Sequence, residues 1–347
     1  MGRSVRYLDP RHGPHAPTTG TPARRPGSIR RTSTVDALRP DGLRRGLLLR
    51  GLGRDLATDG GGAGRVLGQA SMEVDLAYDG GAVVKRITTT PTVAGVASLV
   101  GLVATTGFRA VIDESTGARR GELVYLLLDE IPVSTLVSGY SVLHATSRGD
   151  LEQHAVSDLR PPGPPIHGPD MCAGFQVGGA IMTSQAQGRT ALVTGPDATP
   201  VLDPSDPAGW HDLPGPLPAE AMRRWRRHDL WRDGTLLRLE TFFRDSHMAP
   251  DGVETIIHEY TVAASVDPAS MRVVECEATP RVLPFVECPQ AATSARRLAG
   301  MAVMGLRPQV RAELLGPTTC THLNDTLREI EDVVALAPLL PAEPVPA

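Results

Sequence analysis

The chain has 347 residues and 41% of them are hydrophobic, so it is long enough for one large domain or two smaller ones with a substantial core. A formal net charge of −4 argues against a general nucleic-acid binder. No window reaches about 18 uninterrupted apolar residues and no secretory apolar segment is found, which argues against a membrane span or an export signal. Four cysteines without paired spacing predict free thiols and a cytoplasmic protein (Cys172, Cys276, Cys288, Cys320).

The basic residues of the chain are almost all arginine. Lys85 is the only lysine among 35 basic residues, and the chain also carries 36 glycines and 31 prolines. This bias is typical of GC-rich bacterial coding. The abundance of arginine is therefore weak support for phosphate recognition.

The first half of the chain reads as a tail followed by strands and helices. Residues 1–27 combine proline, glycine and arginine without an apolar period, which predicts a disordered basic tail. In residues 28–150, short apolar and alternating runs predict a first unit of antiparallel strands followed by helices, with Asp79-Gly80-Gly81 as a hairpin turn. The apolar run from Glu122 to Leu143 predicts a helix that Pro132 breaks or kinks.

The second half repeats this order after a segment rich in turn signals. Residues 151–221 predict a linker and a glycine- and proline-rich insertion. The patch from Met171 to Gly179 lacks the spacing of a phosphate-binding loop and predicts a packed loop. Residues 222–335 predict a second unit of strands and helices, and residues 336–347 predict a disordered tail.

The two units share short matches in the same order. The matched segments are Arg30-Arg31 with Arg226-Arg227, Arg54-Asp55 with Arg244-Asp245, and Pro91 with Pro280. We therefore predict an α+β fold of two related antiparallel-sheet units with helices packed on one side, produced by internal duplication. Because the first unit has no cysteine at the matching positions, we expect it to be mainly structural and the second unit to carry the site.

Reactive side chains concentrate where the last predicted helix begins. Cys320, His322 and Asp325 lie within six residues, and the apolar spacing of the segment predicts a helix that opens near Cys320. A thiol at a helix N-terminus meets unpaired N–H groups and the positive end of the dipole, which favour thiolate. A direct Cys320–His322 ion pair is not expected, because residues two apart on a helix point in different directions.

Two kinds of site fit the reactive residues of the second unit. Thiolate and imidazole ligands suit zinc or iron, and they point to Cys288, Cys320 and His322 as metal ligands. Histidine beside a carboxylate suits proton transfer, and it points to four catalytic residues: His258, Asp245, His247 and Asp325. The alternative is that the cysteines are small core residues and the histidines only make hydrogen bonds.

Candidate substrate-binding residues come from the arginines and from one strand face. His258 and Tyr260 share a face because side chains alternate along a strand. Arg227, in the run Arg223–Arg227, and Arg244 could clamp a carboxylate or phosphate. The alternative for the arginine run is a solvated face.

The combination of these segments resembles a known bacterial family. The segments are Arg244-Asp245-Ser246-His247, His258-Glu259-Tyr260, Glu287-Cys288-Pro289 and Cys320-Thr321-His322-Leu323. They look like the family catalogued as domain of unknown function 2889, over roughly residues 28–335 of a longer, actinobacterial-type member. The order of strands, a cysteine-headed helix and a second cysteine-headed helix also resembles, more weakly, the IscU/SufE fold of iron–sulfur scaffold proteins.

These patterns lead to two main hypotheses of function. The first is an enzyme that acts on a small acidic catabolic intermediate by histidine and carboxylate proton transfer, with or without a metal. Its partners are then a small-molecule substrate, with no nucleic acid and no membrane. The second is a non-catalytic metal or iron–sulfur binding protein of the scaffold type, and a third is a partner-binding protein with a degenerate site. The sequence does not indicate an oligomeric state.

Overall fold

A computed structural model describes residues 13–78, 81–151, 168–189 and 191–342. Within these ranges the fold is α+β, with one antiparallel eight-stranded sheet and helices. The strands are β1 (Ser28–Leu38), β2 (Gly46–Thr58), β3 (Gly64–Ala77), β4 (Val83–Thr90), β5 (Met222–Asp233), β6 (Leu236–Met248), β7 (Glu254–Asp267) and β8 (Arg272–Val282). Their order across the sheet is β4-β3-β2-β1-β5-β6-β7-β8, so β1 and β5 join the two halves at its centre.

The α-helices follow each set of four strands. They are α1 (Phe108–Ser115), α2 (Leu123–Asp129), α3 (Ile131–Val137), α4 (Gly139–Arg148), α5 (Ala180–Ala186), α6 (Leu306–Glu313), α7 (Thr321–Arg328) and α8 (Val333–Leu336). Short 3-10 helices occupy Val96–Leu99, Ala173–Phe175, Pro207–Gly209, Cys288–Leu298, Glu329–Asp332 and Ala337–Leu339.

The predicted interruption of the apolar helix lies where the sequence placed it. The run divides into α2, α3 and α4, with Pro132 in the first turn of α3, where its missing N–H is tolerated. By length and composition the stretch Leu123–Arg148 is the one described segment that could cross a membrane, but 72% of its most apolar window is buried inside the protein. That burial is typical of a core helix.

The two faces of the sheet are covered differently. The helices that follow each set of strands pack on one face. On this face Leu123 of α2 lies directly over Gly53, and a Cβ atom added to Gly53 would be only 3.0 Å from the Leu123 side chain. The other face is covered at its centre by the segment that precedes β5. In this segment Trp210 packs edge-on against Trp225, with ring centroids 5.2 Å apart. The segment that precedes β5 is thus packed against the sheet, which differs from the predicted linker.

The two halves share their order of elements and their strand registers. Arg31 pairs with Asp55 across β1 and β2, and Arg224 pairs with Asp245 across β5 and β6, each through a bidentate ion pair. A bulge follows Asp55 in the β2–β3 pairing and Asp245 in the β6–β7 pairing. The structure therefore aligns Arg31 with Arg224, not with the Arg226-Arg227 pair that the sequence suggested. The origin of the halves by duplication remains a prediction.

The arginine run of β5 is not exposed to solvent, and its side chains are not free to bind a substrate. Arg223 to Arg227 are buried and alternate between the two faces of the strand. On the helix side Arg224 and Arg226 both reach Glu130, at 3.1 and 2.7 Å. The prediction of a solvated face is wrong because β5 lies at the centre of the sheet, covered on both faces.

The termini differ from the predicted tails where they are described. Residues 13–27 run along the sheet: Ala16 donates its N–H to the Arg281 carbonyl, and Thr18 donates to Glu259. At the other end, Leu340 is buried. Residues 1–12, Asp79-Gly80, the predicted Pro161–Pro165 linker and residues 343–347 lie outside the described residues.

Candidate functional site

A large cavity lies on the helix side of the sheet between the two halves. Its volume is about 1140 Å³, and its walls come from α3, α4, the segments 169–189, 191–193 and 283–288, and the region from Arg311 to Arg328. Most of the wall is apolar, with His258, His322, Cys288, Cys320 and Asp325 among its polar lining residues. The cavity thus gathers several side chains that are far apart in sequence.

A β-bulge brings His258 to this cavity. Asp245 of β6 pairs with His258 of β7, but the next residue, Ser246, pairs with Ile256, so Ile257 is the extra residue. Bulges re-aim side chains and are common beside active sites. Here both Ile257 and His258 line the cavity.

An arginine–aspartate–histidine chain stands behind the cavity wall. Arg224 donates to Asp245 through two bonds of 2.8 and 2.9 Å, which use both carboxylate oxygens. Although burial opposes ionisation, the Arg224 charge holds the pKa of Asp245 below its ordinary value. His258 Nδ1 lies 3.3 Å from Asp245 Oδ2, in a contact that does not meet the geometry of a hydrogen bond. Such contacts often tighten only when substrate is bound.

The first half carries the same ion pair without the histidine. At the equivalent bulge, Asp55 is held by Arg31, and the residue paired with it on β3 is Gly68. The arginine–aspartate pair is therefore part of the fold in both halves. The imidazole belongs to the second half alone.

His322 stacks on His258 at the start of α7. The ring centroids are 3.7 Å apart and the planes differ by 22°. Burial, reinforced by the neighbouring His258, lowers the pKa of His322 well below its ordinary value. His322 is therefore a neutral ring that packs against His258 and confines it.

The cysteines of the cavity wall are protonated, which corrects the prediction of a thiolate. Cys320 is the N-cap residue of α7, and the backbone N–H groups of Leu323 and His322 point at its sulfur. Burial nevertheless outweighs these contacts and raises the pKa of Cys320 to about 11. Burial likewise raises the pKa of Cys288 well above its ordinary value.

Possible metal ligands converge in two places among the described residues. One group is Asp245, His258 and His322, and the other is His144, Glu220 and His247, each with its candidate ligand atoms within 4.8 Å of one another. Neither group contains a cysteine. The expected set of Cys288, Cys320 and His322 thus lines one cavity but does not come within reach of one ion.

The remaining predicted site residues are divided between the two faces. Asp325 lines the cavity, where Arg109 and Arg328 hold it at 3.0 Å each. Tyr260 is buried behind Cys320. His247 contacts Glu220 and His144 instead of His258.

The two arginines expected to bind substrate do not reach the cavity. Arg244 donates to Glu259, and Arg227 donates to Asp229, both on the face opposite the helices. Their alternation along β5 and β6 places them there, since neighbouring strand residues face opposite sides.

Sequence reasoning missed the arginines that do line the cavity. Three of them are Arg39, Arg189 and Arg311, and no carboxylate of the described residues lies within 4 Å of their guanidinium groups. The only signal in the sequence was their arginine identity, which the overall arginine bias obscured. The patch from Met171 to Gly179, predicted to be a packed loop, contributes to one wall of the cavity.

The fold and the site define an α+β protein with a large, mainly apolar cavity and a histidine backed by a buried arginine–aspartate pair. Residues 222–336 match the model of the family described as Protein of unknown function (DUF2889), and the match covers the half that contains this histidine. Comparisons with curated proteins and with solved structures give no match. The likeness to the IscU/SufE fold is not shown.

Proposed function

We propose that this protein is an enzyme that binds a small organic acid with an apolar body and moves a proton with His258. Asp245 orients the ring, so that Nδ1 carries the hydrogen and Nε2 can accept a proton. Arg224 keeps Asp245 ionised. The observation that carries the proposal is the Arg224–Asp245–His258 chain at the wall of the cavity, because a histidine held by a carboxylate is the common arrangement of a general base.

The charges on the wall support an acidic substrate. Five arginines line the cavity, against Asp325 as the one lining acid among the described residues: Arg39, Arg109, Arg189, Arg311 and Arg328. Arg109 and Arg328 are committed to carboxylates. Arg39 is the best placed of the others, because it is half-buried and, among the described residues, its donors reach neutral oxygens of Tyr78, Leu43, Gly46 and Ser138 while its Nε has no partner.

A metal-assisted form of this reaction has weaker support. Asp245, His258 and His322 lie close enough to hold one ion. However, Arg224 already occupies both oxygens of Asp245 and adds a positive charge, and the two rings stack nearly face to face. Proton transfer needs none of these contacts to change.

The scaffold hypothesis also has weaker support. Cluster assembly needs accessible thiolates, whereas all four cysteines are buried and Cys320 keeps its proton at neutral pH. Free buried thiols are consistent with the proposed cytoplasmic location. We propose a small molecule, and neither nucleic acid nor a membrane, as the partner.

Solvent exchange tests the proposed reaction on a whole class of candidate substrates at once. A panel of apolar carboxylic acids with acidic C–H bonds is incubated with the protein in D2O, and deuterium uptake is followed by NMR. Wild-type protein is expected to accelerate exchange for at least one acid. His258→Asn should abolish the acceleration, because the amide cannot accept the proton.

Two controls separate the base from general packing. His211→Asn replaces an imidazole buried on the opposite face, beside Thr32 and Thr34, and should leave exchange unchanged. Arg39→Gln should weaken binding of the acid about 10-fold or more with little effect on the exchange rate at saturation. If His258→Asn catalyses exchange at the wild-type rate, the proposal is wrong. It is also wrong if the wild-type protein binds acids of the panel but catalyses deuterium exchange in none of them.

A further inference from the structure

His247 is a buried histidine that the proposed reaction does not use. Its side chain is fully buried, yet neither ring nitrogen makes a hydrogen bond among the described residues. Leaving a buried polar atom without a partner costs roughly 1–3 kcal/mol, so such an atom requires an explanation. A structural core histidine would normally be satisfied.

Two further ligand groups converge on this ring. His247 Nε2 lies 3.4 Å from Glu220 Oε2, which is also without a hydrogen bond among the described residues. The ring of His144 meets that of His247 edge-on, with centroids 4.8 Å apart. One candidate ligand atom from each of the three residues lies within 4.8 Å of the others.

The charges around the three residues are mixed, and the imidazoles are available as neutral ligands. Burial and the Arg148 guanidinium lower the pKa of His144 below its ordinary value, against the smaller opposing effects of Asp251 and Asp150. Arg148 contacts Nδ1 of His144 and bonds to Glu220 through Oε1, which leaves Nε2 of His144 and Oε2 of Glu220 as the ligand atoms. Arg148 is partly exposed and already has Asp150 as a second partner.

We propose that His144, Glu220 and His247 bind a divalent transition metal ion, with zinc the best fit to two imidazoles and one carboxylate. This site is separate from the proton-transfer site. It lies two residues further along β6 than Asp245, under α4, and behind Tyr140, whose ring contacts both histidines. The ion would join α4 of the first half to β6 of the second.

Metal binding by the full-length protein tests this site directly. Protein stripped with a chelator is titrated with Co²⁺, whose visible spectrum reports coordination, and with Zn²⁺ in competition. One equivalent should bind. Glu220→Gln and His144→Asn should each weaken binding more than about 100-fold, because even outer-shell partners of metal ligands contribute about 10–100-fold.

The other histidine cluster supplies the matched control. His322→Asn removes a member of the group formed by Asp245, His258 and His322 and should leave Co²⁺ binding unchanged. Glu220 and His144 are only partly buried, so their variants are expected to fold, which circular dichroism checks. Zinc at 100 times its dissociation constant should shift the unfolding equilibrium about 100-fold in wild type and not in Glu220→Gln.

Three outcomes would overturn the proposal: no Co²⁺ binding at micromolar concentration, binding that survives both Glu220→Gln and His144→Asn, or binding that is lost in His322→Asn. Each is distinct from a failure of the proposed function, because the readout is metal binding and not exchange.

Discussion

Asp129 contacts three arginines and links the two halves of the protein through two of them, Arg307 and Arg328, so its replacement is the sharpest test of the buried charge network. At the end of α2 its carboxylate accepts from Arg307 at 2.9 Å and Arg328 at 2.8 Å, and Arg109 lies at 3.1 Å. Although burial opposes its ionisation, these charges hold the pKa of Asp129 below its ordinary value. Asp129→Asn would leave three guanidinium groups around a neutral amide.

The expected loss of stability follows from the burial of the network. Removing one partner of a buried ion pair costs about 3–5 kcal/mol, because the other charge stays buried. For 347 residues the unfolding entropy is about 0.7 kcal/mol per degree, so Asp129→Asn should lower Tm by about 4–7 °C in a thermal melt.

Glu73→Gln is the matched control for this experiment. Glu73 pairs with Arg50 on the sheet, but more than a third of each side chain is exposed. The pair should therefore contribute less than about 1 kcal/mol, which corresponds to about 1 °C. If Asp129→Asn melts no lower than Glu73→Gln, the network does not stabilise the fold as its geometry implies.

Three further predictions concern the chain end, acid stability and the thiols. Deleting residues 1–25 should lower Tm relative to deleting residues 1–12 alone, because only the longer deletion removes the strand-edge contacts; equal melting temperatures would contradict this. Burial lowers the pKa of His228 and of His247 to about 3, so the unfolded chain binds more protons between roughly pH 6.5 and 3. Stability should therefore fall as the pH drops through this window, as followed by urea titration, and a flat profile would show that these rings are not buried and neutral. Cys320 should react slowly with iodoacetamide at neutral pH in the folded protein and rapidly in urea, as measured by mass spectrometry; fast labelling in the folded state would restore the thiolate hypothesis.

Local patterns predicted much of the fold. The patterns predicted antiparallel strands followed by helices in residues 28–150 and again in residues 222–335, and Pro132 marked the division between α2 and α3. The burial of β5 was not predicted, because its arginines are typical of a solvated face. Their burial depends on partners such as Glu130, which lies 94 residues away from Arg224. Such pairing cannot be read from either segment alone.

The site was only partly predictable for similar reasons. His258 and Asp245 were selected by residue type, and the register of β6 with β7 brings them together. The protonation of Cys320 could not be predicted, because the helix N-terminus is visible in the sequence whereas the burial that outweighs it is a tertiary property. Residue type also selected His247 as a catalytic candidate beside His258, but α4 gives it different neighbours.

The tautomer of His258 tests the central claim most directly, since it requires no substrate. Nitrogen-15 NMR of histidine-labelled protein in mildly alkaline buffer distinguishes a proton on Nδ1 from one on Nε2, with His258→Asn used to assign the signal. Orientation by Asp245 predicts a proton on Nδ1, 3.3 Å from the carboxylate, and a free Nε2. A proton on Nε2 would contradict the proposed mechanism, because the nitrogen assigned as the base would then be a donor.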